Sequence, residues 1–144
     1  MVYDNKTSAN ADMRLYRALS VGDLPAAQLI KNITEENPAS LFNRGLCLFR
    51  LEEWENSLAE LKRAERMLGS PPEIDISERT FFIKALMKSE QPYLLPLDPE
   101  YSSDCARYAL IRIRWLEVLC LVNLGRNGEA APIKRFLSQY QIEL

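Results

Sequence analysis

NRGLCLFRLEEWENSLAELKRA, residues 43–64, is the stretch whose reading decides the fold. Gly45 stands between apolar residues in the middle of an apparent helix, and Trp54 follows in a run that is otherwise charged. Both ask for a packing reason. The spacing around them is helical. Leu58, Leu61, Ala64 and Leu68 recur at steps of three and four residues, which places them on one face. Upstream, Asn37-Pro38 reads as an N-cap with proline in the first turn, opening a helix that runs to about Leu51.

The same pattern extends outward. Residues 9–20 carry Met13, Leu15, Tyr16 and Leu19 on a wide stripe, and Gly22-Asp23 reads as a helix stop followed by a new cap. Leu24 to Ile33 carries Ala26, Ala27, Leu29 and Ile30. Gly69-Ser-Pro-Pro ends the helix that contains Leu61. Asp75 with Glu78 resembles a capping box opening a helix through Phe82, Ile83, Leu86 and Met87 to about Ser89. QPYLLPLDP, 91–99, holds three prolines and reads as an extended, irregular connection reaching residue 101. A long helix then opens at Ser102 or Ser103 and runs to about Leu124, with a last helix beyond Gly125. No segment alternates with period two, so the chain reads as all-α, about seven antiparallel helices in one domain spanning 1–144.

Composition narrows the function. The 144 residues are 47% apolar and 26% charged, with a net charge of −2, so nothing global draws the chain to nucleic acid or an anionic membrane. Histidine is absent, which removes serine–histidine and cysteine–histidine nucleophiles and histidine-bearing zinc sites. No phosphate-binding glycine motif occurs. The adjacent acids Glu35-Glu36 and Glu52-Glu53 point about 100° apart on a helix and do not converge. No catalytic residues, cofactor or metal are expected. The N-terminal MVYDNKTSANAD has no apolar core of a leader, and Trp115 to Leu124 is too short to span a bilayer. The three cysteines, Cys47, Cys105 and Cys120, read as reduced thiols of a cytoplasmic protein, the first and last buried and Cys105 intermediate.

Three stretches align internally: SVGDLPAA (20–27), RLEEWENS (50–57) and NLGRNGEA (123–130). Each ends one helix, turns tightly, and opens a second helix toward a small residue: Ala27, Ser57 and Ala130. On these residues the segment 39–68 resembles a tetratricopeptide repeat. Gly45 is its small mid-helix residue, Trp54 its aromatic after the turn, Ser57 its small second-helix residue, Leu61 its bulky residue and Ala64 a further small position. Segments 9–37 and 111–138 match more weakly; the latter has Val118 where a small residue is wanted. The resemblance implies a right-handed superhelix of about three hairpins, one degenerate. In it Gly45 gives up its side chain where two helices approach, and Trp54, expected to be buried, fills the open end of the hairpin. Arg44 and Glu117 depart from the pattern: both occupy inward positions that are usually apolar.

The resemblance also implies a groove lined by the first helix of each hairpin. The repeat offsets put Tyr16 and Leu19, then Phe42, Leu46 and Phe49, then Trp115, Leu119 and Val122 on it. Family members that grip a terminal carboxylate use Lys and Asn here. Asn43 matches one such position, but Asp12 and Tyr16 stand at the others, so that grip is not expected. An apolar face of this kind wants cover. A partner polypeptide, a second copy of the chain in a homo-oligomer, or the chain's own YLLPL (93–97) could supply it; alternatively these residues are core. The expectation is a non-catalytic protein–protein interaction module, a scaffold or chaperone-like binder with another polypeptide as partner and no nucleic acid or membrane. The competing reading is an accessory or regulatory subunit of an enzyme, or a small enzyme with an unrecognised carboxylate site. Acids with shifted pKa values gathered in one cleft would mark the latter.

Overall fold

The computed structural model describes residues 5–100 and 105–144, with side chains from residue 10 onward. Its helices are α1 (Asn5–Ser20), α2 (Leu24–Ile30), α3 (Pro38–Arg50), α4 (Trp54–Leu68), α5 (Ile76–Leu86), α6 (Ala106–Asn123) and α7 (Asn127–Ser138). Short 3₁₀ turns lie at Lys31–Ile33 and Pro92–Leu94. No strand occurs among the described residues, so the protein is all-α. None of the described helices is long and apolar enough to cross a membrane.

Helix starts follow local chemistry. The carboxylate of Asp23 accepts from the Ala26 amide at 3.2 Å, the side chain of Asn37 from Ser40 at 2.9 Å, and Asp75 from Glu78 at 2.8 Å. Each satisfies an amide that the first turn leaves unpaired. The cap sought at Ser102 or Ser103 lies outside the described residues, as does residue 101 of the connection.

The three aligned turns share one backbone construction. The residue after each turn donates back across it: Asp23 to the Ala18 carbonyl at 2.8 Å, Glu53 to Leu48 at 2.9 Å, Arg126 to Leu121 at 2.8 Å. The residue before each donor has positive φ: Gly22 at 76°, Glu52 at 61° and Gly125 at 73°. This is the left-handed closure that ends helices, where glycine carries no steric cost. Glu52 fills it with a side chain.

The closest approach lies in the α3–α4 hairpin. A Cβ on Gly45 would stand 3.0 Å from both Cγ and Cδ2 of Leu61, and 3.4 Å from the Ser57 carbonyl oxygen. Ser57 Oγ donates to the Gly45 carbonyl at 2.7 Å across the same contact. Helix α4 packs on α3 along one side and on α6 along the other, and α6 carries α7. Buried residues from Ala11 in α1 to Ile142 join in one core. Trp54 is half-buried rather than buried. It stands edge-on to Phe49 with centroids 5.1 Å apart and keeps one side open to a recess.

Arg44 and Glu117 resolve differently. Arg44 reaches a polar edge, donating from Nε to Thr34 Oγ1 at 2.8 Å and from Nη2 to the Thr34 carbonyl at 2.7 Å, with Glu36 and Glu60 at 3.8 and 3.9 Å. Glu117 is fully enclosed at the α4–α6 contact. Burial, with the Glu65 carboxylate alongside, pushes its carboxyl up to about 8, so it is neutral at pH 7. Cys47 and Cys120 are buried, and burial raises the Cys120 thiol to about 11; Cys105, just ahead of α6, is exposed rather than intermediate.

Candidate functional site

The residues expected to line a groove fall into two groups. Phe42, Leu46, Leu19 and Trp115 are buried; Tyr16, Phe49 and Leu119 are half-buried, and Val122 is exposed. The connection 91–99 lies on the face formed by α3 and α6 and closes its middle.

Asn43 holds that connection. It is fully buried on α3, and its amide serves both backbone groups of Leu97: Nδ2 donates to the carbonyl at 2.8 Å, and Oδ1 accepts from the amide at 2.9 Å. This two-way bond satisfies a peptide unit regardless of its side chain. Leu97 is buried in the core beneath it. Earlier in the segment, Tyr93 stands between Phe49 of α3 and Trp115 of α6, with ring centroids 6.5 and 6.0 Å away. Pro92 and Leu94 form the 3₁₀ turn that delivers it.

From α6, Arg112 donates Nη2 to the Leu95 carbonyl and Nη1 to Tyr108 Oη at 3.0 Å. Its guanidinium lies 5.4 Å from the centre of the Phe42 ring. Arg112 is 1% exposed, and burial pulls its pKa down. The segment therefore meets three kinds of contact in order: aromatic rings at Tyr93, a guanidinium at Leu95 and an amide at Leu97.

Beside Tyr93 the face stays open. A recess of about 510 Å³ is bordered by Phe49, Trp54, Tyr93, Leu94, Trp115 and Leu119, with Glu52 at its edge. It is mostly aromatic and apolar, in the size range of ligand sites. The indole nitrogen of Trp115 is buried and lacks a partner among the described residues.

Asp12 has a structural use. Its carboxylate accepts from the Glu35 amide at 2.8 Å and from Asn37 Nδ2 at 3.2 Å, tying α1 to the start of α3. Among the described residues the one carboxyl pushed strongly upward, Glu117, belongs to the α4–α6 contact and does not border the recess.

Sequence reasoning missed Arg112 altogether. It sits in ARYALIRIRWLEVLCLVN, where apolar residues cover nearly every direction and no stripe tells inside from outside. The one available signal was an arginine three residues before Trp115, on the same side of the helix. No protein-family model, curated protein or solved structure matches the chain.

Proposed function

We propose that this protein is a tetratricopeptide-like hairpin array that binds a partner polypeptide, without catalysis, on the α3–α6 face, and that residues 93–97 occupy the face as an internal ligand. The carrying observation is the two-way amide bond between Asn43 and the Leu97 backbone. A side-chain amide that grips a peptide unit accepts any extended segment with apolar residues in register, which is how grooves of this type recognise ligands. The shared closure of the turns at Gly22, Glu52 and Gly125, and the side-chain-free approach at Gly45, support the repeat reading. The open recess beside Tyr93 offers a foothold from which a partner could displace the segment.

The test uses the chain's own segment in trans. In a Leu97→Ser variant the internal ligand is weakened, and a fluorescent peptide of residues 91–99 should bind, with anisotropy saturating, while the parent chain binds it at least about tenfold more weakly. Circular dichroism checks that the variant remains helical. A folded variant that ignores the peptide contradicts the reading.

A further inference from the structure

Among the described residues, arginines withdrawn from solvent are paired with carboxylates, with two exceptions. Arg44, Arg63, Arg79, Arg107, Arg114 and Arg126 are all partly buried, and each has a carboxylate at 3.8 Å or closer. Arg14, Arg17, Arg66 and Arg135 are exposed and solvated. Arg50 is half-buried and Arg112 buried, and neither has a carboxylate partner among the described residues. Both border the same recess, about 700 Å³, between the α1–α2 turn, the end of α3, the first half of α6 and residues 89–96.

The chemistry of that recess is lopsided. A guanidinium stays charged in proteins, and a buried charge without a counter-charge is costly. Among the described residues the oxygens that meet Arg112 are neutral, the Tyr108 hydroxyl and the Leu95 carbonyl, and its Nε has no acceptor. Arg50 extends toward the α1–α2 turn, where its Nη2 stands 3.9 Å from the place a Gly22 Cβ would take. Tyr16, Ser20, Ser89 and Gln91 add hydroxyl and amide groups to the wall. Glu90, the acid on the rim, makes no ion pair with either arginine.

We propose that this recess is an oxyanion site: a carboxylate or phosphoryl group enters between Arg50 and Arg112 and takes the place on Arg112 now held by the Leu95 carbonyl. The exchange replaces a neutral acceptor with a charged one. The donor is charged already, so a charged acceptor turns the hydrogen bond into an ion pair, suited to the planar donor fork of arginine. The hydroxyls of Tyr16 and Ser89 can serve the remaining oxygens. The site depends on neither Asn43 nor the repeat resemblance, so a failure of the 91–99 peptide to bind in trans would leave it standing.

The test titrates the full chain with sodium phosphate and, separately, sodium acetate, against sodium chloride at matched ionic strength. Arginine Nε–Hε resonances and the melting temperature are followed together. The expected result is saturable binding of at least one oxyanion, with shifts concentrated at Arg112 and Arg50. Arg50→Gln should weaken the apparent affinity about tenfold or more, and the exposed-site control Arg135→Gln should leave it unchanged. Arg112→Gln removes a buried charge and alters stability by itself, so its titration rather than its melting temperature is read; binding should be lost. Stronger binding of phosphate points to a phosphoryl ligand, and stronger binding of acetate to a carboxylate. Identical behaviour in all three salts, or a response that survives both Arg50→Gln and Arg112→Gln, overturns the proposal.

Discussion

The α3–α4 hairpin and α5 are neighbours in sequence, and they are built on opposite terms. In the hairpin, apolar positions keep one stripe, and Leu58, Leu61 and Ala64 are all buried with Gly45 giving α4 its close approach. In α5, ISERTFFIKAL, apolar residues point several ways. Phe82 and Leu86 are buried, Ile83 is half-buried, and Ile76 and Phe81 are 79% and 77% exposed. The hairpin meets its second helix four residues on, whereas α5 is followed by the proline-rich connection and rests on α6 chiefly through Phe82 against Tyr108, ring centroids 4.4 Å apart. Its entrance is tied from outside. Arg107 donates to the Pro71 carbonyl at 3.3 Å, and the Tyr140 hydroxyl donates to Glu73 at 2.8 Å. Helix α5, with no helix directly after it to pair with, is held by polar ties at its entrance, and an extended segment follows it onto the α3–α6 face.

This contrast can be broken at a single side chain. Leu61→Ala should cost roughly 2–5 kcal/mol in denaturant unfolding, because the residue is fully enclosed and the Gly45 contact cannot collapse onto the gap. Phe81→Ala in α5 should lie within about 0.5 kcal/mol of the parent. Comparable losses at the two sites would erase the distinction.

The α4–α6 contact gives the next largest effect, and it depends on pH. Glu117 has its carboxyl raised from 4.5 to about 8 in the folded chain. The folded state therefore holds a proton that the unfolded state releases. Stability should fall as pH rises from about 4.5 and level off above about 8, a total of roughly 3–5 kcal/mol for this group. Glu117→Gln, which keeps the neutral shape, should flatten that slope between pH 5 and 9 and exceed the parent in stability at about pH 9. A parent whose stability does not fall across this range contradicts the buried placement.

The smallest effect sharpens the comparison among the three turns. Gly22 and Gly125 adopt positive φ freely, while Glu52 does so with a side chain whose carboxylate makes no hydrogen bond or ion pair among the described residues. Glu52→Gly should raise stability by about 1 kcal/mol, read as an upward shift in melting temperature. A loss would show that the Glu52 side chain contributes a contact of its own.

What the sequence disclosed tracks these physical differences. The all-helical class, the breaks, and the caps at Asp23, Asn37 and Asp75 were legible because each rests on residues next to one another in the chain. So was the importance of Gly45, since an isolated glycine in a strong helical pattern calls for a close neighbour. The full burial assigned to Trp54 failed because the connection, not the hairpin, determines what closes that end of the molecule. The seat of residues 93–97 could be named only as one of several coverings. Asn43 and Leu97 are far apart in sequence, and a bond from a side-chain amide to a backbone leaves no periodic trace. Arg112 left none either, being one of four charges in a helix otherwise apolar on nearly all sides. The alignment that paired Gly22, Glu52 and Gly125 was visible, yet only the backbone angles show that the glutamate occupies a position suited to glycine.

Native-state hydrogen exchange at the Leu97 amide tests most directly whether the connection is a ligand of the α3–α6 face. A held but displaceable segment opens by itself. The Leu97 amide should be protected about a hundredfold or more over a free peptide, through Asn43, yet exchange by an opening that is smaller than global unfolding and nearly insensitive to low denaturant. The core amides of α3 and α4 should open only with the whole molecule. A Leu97 amide that exchanges together with α3 and α4, along the same denaturant dependence, would make residues 93–97 ordinary core, and one without protection would mean that Asn43 does not hold them; either result contradicts the account.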